Sequence, residues 1–220
     1  MNAKSAVFLS GQTNTPDIIA NHLRQDILNG KYKANQPLRQ DRIAEELGVS
    51  KIPLREALVQ LKAEGLVSFF PKRGAVVAEL SASEVEEIYA MRVALELVAI
   101  ERAIPQLGVS DLIRSQGILE IIDSGSEKEN WSDLNWEFHA ILYSAAQMPM
   151  LLNTIQSLHN NVARYLVIYL DHLAAAKISQ KEHWQLLEAC REQNIPAAKK
   201  VLKRHLIKAS DHLTRFLANE

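Results

Sequence analysis

One cysteine stands among 220 residues, aromatic side chains make up only 6% of the chain, and the formal net charge is −1. A lone Cys190 excludes an internal disulfide and any cysteine-rich zinc module, which leaves it as a small core or helix-face residue without chemistry. No apolar run approaches the roughly 18–20 residues that cross a bilayer, and the opening MNAKSAVFLSGQTNTP has no signal-peptide core. The expectation is a cytoplasmic protein with no membrane partner. Internal repeats and low-complexity tracts are also missing. The near-zero charge hides an uneven distribution, with 11 Lys and Arg against 8 Asp and Glu over residues 1–80 and 14 against 18 over residues 81–220. A basic leading part joined to an acidic trailing part suits nucleic acid at one end and something else at the other.

What is present is most informative between Asp41 and Leu66. Ile43, Ala44 and Leu47 recur at helical spacing, Gly48 ends that helix, Val49 plugs the corner and Ser50 caps a second helix. Pro53 lies in the first turn of this second helix, and Leu54, Ala57, Leu58 and Leu61 form its buried stripe. Two helices meeting at a corner expose the N-terminal end of the second, so Lys51, Ile52 and Arg55 are placed to reach phosphates and base edges in a major groove. Upstream, Thr15 or Asp17 starts a helix carrying Ile18, Ile19, Leu23, Ile27 and Leu28, which Gly30 ends. Downstream, residues 66–79 turn β-branched and aromatic around Pro71, Lys72, Arg73 and Gly74, the pattern of a two-stranded wing whose tip suits a minor groove or a phosphate.

Ser81, Ser83 and Glu84 offer a capping box for the next helix. Apolar spacing of three and four then predicts helices over 83–105, 110–123, 128–146, 150–172, 175–194 and 196–218, punctuated by Pro105, Gly108, Gly125, Pro149 and Pro196. The fold class is therefore mainly α. A loose tail (1–14) precedes an N-terminal winged helix-turn-helix (15–80), and a C-terminal antiparallel all-helical bundle of about six helices follows (81–220), able to hold a ligand or metal between facing helices.

Gly48-Val49-Ser50-Lys51-Ile52-Pro53-Leu54-Arg55-Glu56-Ala57-Leu58, with Ile27-Leu28-Asn29-Gly30 before it and Glu64-Gly65-Leu66 after, resembles the winged helix-turn-helix of GntR-type bacterial transcription regulators. Lys51-Ile52 stands where that family usually has Arg-Thr, and Ala34-Asn35 where it has Pro-Gly. Lysine keeps the charge without the bidentate fork, and Ile52 can touch a thymine methyl but donates no hydrogen bond. The DNA-facing set is Arg39, Arg42, Ser50, Lys51, Ile52, Arg55, Lys72, Arg73 and Gly74. The helical part resembles the FCD effector domain of the FadR subgroup, through Arg92 with Leu95-Glu96, Asn135 with Phe138-His139, His183 with Leu186-Leu187 and Ala189, and His205-Leu206. In metal-binding members of that family an aspartate and three histidines surround one divalent ion. Here the resemblance implies Asn135, His139, His183 and His205, with a neutral amide in place of the carboxylate.

Asn135 and His139, four apart, share a helix face, and three imidazoles from three helices would suit Zn, Ni, Mn or Fe. A carboxylate lost from the ligand set weakens the hold on a bare ion and leaves the site dependent on an anionic ligand, which a small carboxylate effector could supply. The plainer reading is that the histidines line a cavity without metal. Arg92 either pairs with Glu96 or points inward toward an effector carboxylate; Tyr89, Arg164 and Tyr165 are further candidates to line the pocket. His22, His159, His172 and His212 have no partners at ligand spacing, and Trp131, Trp136 and Trp184 read as packing residues. The whole reads as a homodimeric, ligand-responsive regulator binding double-stranded operator DNA. Its rivals are a metal-dependent hydrolase or lyase, and a constitutive DNA-binding protein with a vestigial pocket.

Overall fold

The computed structural model describes residues 15–125, 131–170 and 173–218, and the side chains within those spans other than those of 164, 166–170 and 173–177. The expected tail, the start of the third bundle helix at Lys128 and the Arg164 side chain lie outside the described residues. The chain separates into two compact units, one ending at Glu79 and the other beginning at Leu80.

In the first unit α1 (Thr15–Leu28), α2 (Gln40–Leu47) and α3 (Lys51–Ala63) precede the strands β1 (Val67–Phe70) and β2 (Gly74–Val77). Ile19, Leu23 and Ile27 of α1 share a core with Leu54, Leu58 and Leu61 of α3, and Leu38, Val67, Ala75 and Val77 close it. Arg24 clamps α1 to the end of α3 by donating through two nitrogens to the two carboxylate oxygens of Glu64. The corner after α2 depends on Gly48, whose φ of 66° is left-handed. That conformation lets the Gly48 N–H reach the Glu45 carbonyl and the Val49 N–H reach the Ala44 carbonyl, satisfying two carbonyls that the helix end would otherwise orphan. Asn35, standing where the family has glycine, also adopts a positive φ, 61°, which its short polar side chain tolerates.

Ser50 takes the extended backbone of an N-cap, but its side chain makes no capping hydrogen bond, contrary to expectation. The third helical residue is Pro53, so one of the N–H groups a cap hydroxyl accepts from does not exist. The wing forms as read: β1 and β2 pair antiparallel from Val67↔Val77 to Phe70↔Gly74. Its tip passes through Lys72 at φ 65° and Gly74 at φ 70°.

The second unit opens with the expected capping box. The Glu84 N–H donates to Ser81 Oγ, and the Ser81 N–H donates to the Glu84 carboxylate. Among the described residues six α-helices follow: α4 (Ala82–Ala103), α5 (Val109–Ser124), α6 (Trp131–Ser144), α7 (Pro149–Leu170), α8 (Leu173–Arg191) and α9 (Ile195–Ala218). A short 3₁₀ turn at Ile104–Gln106 ends α4 beside Pro105. Val85, Ile100, Leu119, Phe138, Leu142, Ile155, Leu187 and Leu202 belong to one core. Cys190 is buried in it, and burial pushes its thiol up to about 12, which leaves it inert. No helix among the described residues is long and apolar enough to cross a membrane.

An alanine Cβ at Gly48 would meet nothing within 4 Å, so any cost of Gly48→Ala comes from its backbone conformation alone. That substitution should destabilise the first unit by about 1–2 kcal/mol, read as a lower urea midpoint with unchanged slope. An unchanged midpoint would show that the corner tolerates a side chain.

Candidate functional site

The first candidate surface is the outer face of the first unit. Lys51, Ile52 and Arg55 all stand in solvent on the N-terminal half of α3. Ile52 is 72% exposed, a large apolar side chain left in water at the place where a groove would be read. Arg55 makes no ion pair among the described residues, so its guanidinium is free to engage a base or phosphate. Lys51 lies 2.5 Å from Asp41 on α2, and Arg42 pairs with Glu46 one turn on. The Asp41 contact was not visible in the sequence, because it exists only once α2 and α3 turn their N-terminal ends toward each other. Arg39 is the exposed N-cap residue of α2, while Lys72, Arg73 and Gly74 are exposed at the wing tip, with Arg73 over the Phe70 ring.

The second candidate site lies inside the helical unit, where α6, α8 and α9 bring His139, His183 and His205 together. Their candidate ligand atoms all lie within 4.8 Å of one another. His139 and His183 are buried, as is Asn135 one turn before His139 on α6. The spacing argument held because positions four apart on α6 do face the same interior. Glu137 between them is exposed, so it offers no base to this interior.

Each ring has its Nδ1 engaged from outside the cluster. The Tyr143 hydroxyl donates to Glu96 at 2.6 Å, so its oxygen is left to accept from His139 Nδ1, 3.1 Å away. Burial pushes the Tyr143 hydroxyl well above the usual phenol range, keeping it protonated for that role. Gln180 donates its amide N–H to the Leu119 carbonyl, which turns its oxygen toward His183 Nδ1 at 3.2 Å. His205 Nδ1 lies 3.3 Å from Glu182, a group that when ionised can only accept. All three rings are thereby set to carry the proton on Nδ1 and an open lone pair on Nε2.

The inward atoms lack partners. His139 Nε2, His183 Nε2 and Asn135 Oδ1 are buried and without any hydrogen bond. Burial, reinforced by the neighbouring histidines, holds His139 and His183 well below the usual imidazole range, so both rings are neutral near pH 7. Neutral imidazoles with exposed lone pairs and an orphan amide oxygen are the donor set of a borderline divalent cation. These residues fit the ion that the family resemblance implies.

A partly open cleft beside the cluster is lined by Tyr89, Arg92, Trp131, Asn135, Glu182 and His205, among others, and offers a free volume of about 20 Å³. Such a space takes an ion or a single water and excludes an organic molecule. Arg92 takes the first of the two roles that its sequence position left open, donating to Glu96 at 2.7 Å with both side chains buried, and it also lines the cavity. Tyr89 also lines it, with the Arg92 guanidinium 4.9 Å from its ring centre. Tyr165 is elsewhere, its hydroxyl accepting from the Leu80 N–H at the entry to α4. Trp131 forms part of the cavity wall, whereas Trp136 stacks near His159 and Trp184 donates to Asp123. Sequence reasoning missed Glu182 and Tyr143, and gave Glu96 only as a partner for Arg92. The glutamate directly before His183 and the tyrosine four residues after His139 were the available signals.

A helix-turn-helix with a wing, followed by a helical unit with a polar three-histidine interior, is the architecture of a two-part transcription regulator. Residues 16–77 match the bacterial regulatory proteins of the gntR family, and residues 87–208 match the FCD domain. The chain belongs to the GntR family, in its FCD-bearing form. It is 29% identical over 203 residues to the HTH-type transcriptional regulator YdhC of Bacillus subtilis, covering 90% of each chain. The solved structure of Escherichia coli McbR/YncC is similar at TM-score 0.81 and 25% identity, covering 93% of this chain and 99% of that one. A GntR-family regulator from Pseudomonas syringae pv. tomato is 30% identical, with TM-score 0.58, covering 97% of this chain and 92% of that one. These families and relatives are transcription regulators, not enzymes, which overturns the hydrolase or lyase alternative.

The buried rings also make a pH signature. His139, His159 and His183 are all held below the unfolded value of 6.5, so below pH 6.5 the unfolded chain binds more protons than the folded one. Stability of the metal-free protein should fall as pH drops through 6.5 toward 5, by up to about 1.4 kcal/mol per pH unit for each ring. Glu182, held at about 2, adds its own loss only below 4.5. Urea midpoints at pH 7.5 and 5.5 check this, and equal midpoints would contradict the neutral, buried rings.

Proposed function

We propose that this regulator acts as a homodimer on operator DNA and responds to a small carboxylate held at a divalent metal in the FCD domain. The observation that carries the reading is the convergence of three histidines whose outer nitrogens are engaged, with the inner nitrogens of His139 and His183 buried and unpartnered. Zn, Ni, Mn or Fe would be held by His139, His183 and His205 with the amide oxygen of Asn135. When bound, such an ion supplies a concentrated positive charge and an open position for an anionic oxygen. Because Asn135 is neutral, nothing among those ligands cancels that charge.

The chain's own cation cannot replace the ion as anchor for an anion. Arg92 already faces Glu96 within the core, so an incoming carboxylate would compete with a preformed ion pair. The cavity is also too small for an organic acid in its present form. Binding one therefore requires Trp131 or the helices around it to shift, and that displacement is the means by which ligand binding reaches the rest of the domain. Linkage then sets the size of the response: a carboxylate that favours one domain arrangement changes operator affinity by its coupling free energy, typically about 1–3 kcal/mol.

On the DNA side, Arg39, Arg42, Ser50, Lys51, Ile52 and Arg55 line the groove-facing surface, and Lys72, Arg73 and Gly74 form the wing tip. One winged helix reads few base pairs, so two copies on a pseudo-palindrome are needed for specificity. Exposed Met91 and Val98 on α4 and Val109 and Ile113 on α5 leave apolar surface on the helical unit that a second copy would cover. The constitutive reading, with a vestigial pocket, remains the outcome if no ion or acid binds.

Arg55→Ala should weaken operator binding by about 1–3 kcal/mol in gel-shift titration at fixed salt, and undiminished affinity would remove Arg55 from the interface. Asn135→Asp places a carboxylate beside the three histidines and should raise the affinity for Ni²⁺ or Zn²⁺ measured by calorimetry on chelator-stripped protein. Equal affinities in the two proteins would place residue 135 outside the ligand set, and no binding by either would end the metal reading.

A further inference from the structure

Of the three rings, only His205 has a carboxylate at its outer nitrogen. His139 leans on a hydroxyl and His183 on an amide oxygen, both uncharged acceptors. Two buried glutamates stand near the cluster, and they differ in how their charge is spent. Glu96 is matched inside the core by Arg92, with both side chains almost wholly enclosed. Glu182 is just as enclosed, but its cations arrive from the surface: Arg204 and Lys208 bond its Oε1 at 3.0 and 2.8 Å through side chains 42% and 49% exposed. Water screens those two charges. Oε2 is left for His205.

We propose that Glu182 is the positioning residue of the metal site, holding the His205 ring with its Nε2 lone pair inward and supplying, through that ring, negative charge that Asn135 does not bring. A carboxylate accepting from the outer N–H of an imidazole fixes its tautomer and raises the electron density at the opposite nitrogen. This inference rests on the metal reading above and assigns to a residue outside the ligand set a part of what an aspartate at 135 would do. Glu182 also ties α8 to α9 through Arg204, Lys208 and His205, so the test must separate ligand tuning from mere stapling.

Titration of the chelator-stripped full chain with Ni²⁺ or Zn²⁺ alone separates them. Glu182→Gln should lower affinity about 10–100-fold, while Arg204→Met, which removes a staple contact but leaves the His205 contact, should stay within about twofold of the wild type by the same reasoning. Ring ¹⁵N NMR of the metal-free wild type should show His205 protonated at Nδ1, a readout that needs no variant to fold. Wild-type binding that Glu182→Gln leaves unchanged, an equal loss in Arg204→Met, or a His205 proton on Nε2 would each overturn this inference while leaving the metal reading intact. Absence of any binding by the wild type would sink both. If Glu182→Gln does not fold, Glu182→Asp keeps the charge, shortens its reach and should lower affinity in the same direction.

Discussion

A buried nitrogen lone pair with nothing to bond is expensive, and the helical unit holds two of them on rings of one cluster, with an unpartnered amide oxygen one turn away on α6. An unpaired polar atom in a protein interior costs on the order of 1–3 kcal/mol. The surrounding core, with Ile100, Phe138, Leu142, Leu187 and Leu202 packed from several helices, is what tolerates that cost. The same apolar surroundings remove the hydration that would otherwise stabilise the protonated, charged rings. Burial thus does two things at once: it makes the imidazoles neutral, and it leaves their lone pairs available.

Around that point the polar groups form chains rather than isolated pairs. Arg92 donates to Glu96, Glu96 accepts from Tyr143, and the Tyr143 oxygen meets His139. This line of contacts runs from α4 to α6, and α4 is the helix that follows the wing directly along the chain. On the other side, Gln180 links His183 to the α5 carbonyl at Leu119, and Glu182 links His205 to Arg204 and Lys208. Every ring is therefore oriented by a different helix pair. A rearrangement of the cluster would be felt across much of the bundle, since packed helices shift as bodies rather than deform locally.

The first unit is built on the opposite principle. Its core is apolar, and its candidate DNA-facing charges sit at the outer ends of α2, α3 and the wing. Even there, tertiary placement altered the roles suggested by composition. Lys51 is matched by Asp41 and Arg42 by Glu46, whereas Arg55 has no such partner. Counting basic residues could not make that distinction, because Asp41 and Lys51 are ten positions apart and meet only across the corner.

Periodicity and punctuation were enough to recover the helix-turn-helix, the wing and the helices of the bundle, because apolar spacing, Gly48, Pro53 and the Ser81–Glu84 box act through near neighbours in the chain. That Asn135 and His139 share a buried face of α6 was legible for the same local reason. Sequence could not say that Ser50 would lack its capping bond, that Tyr165 would bond Leu80, or that Arg92 would both pair and line the cavity. Tyr143 and Gln180 lie one turn from their rings, but their anchors on α4 and α5, and the contact of Glu182 with His205 on α9, arose only when those helices came together. Local structure answers to hydrogen bonds and apolar faces a few residues apart, and the sequence carries those directly. The imidazoles of His139 and His183 meet near neighbours on their own helices. The anchors of those neighbours, Glu96 and the Leu119 carbonyl, and the Glu182 carboxylate at His205 come from distant segments, and only tertiary packing decides where those atoms meet.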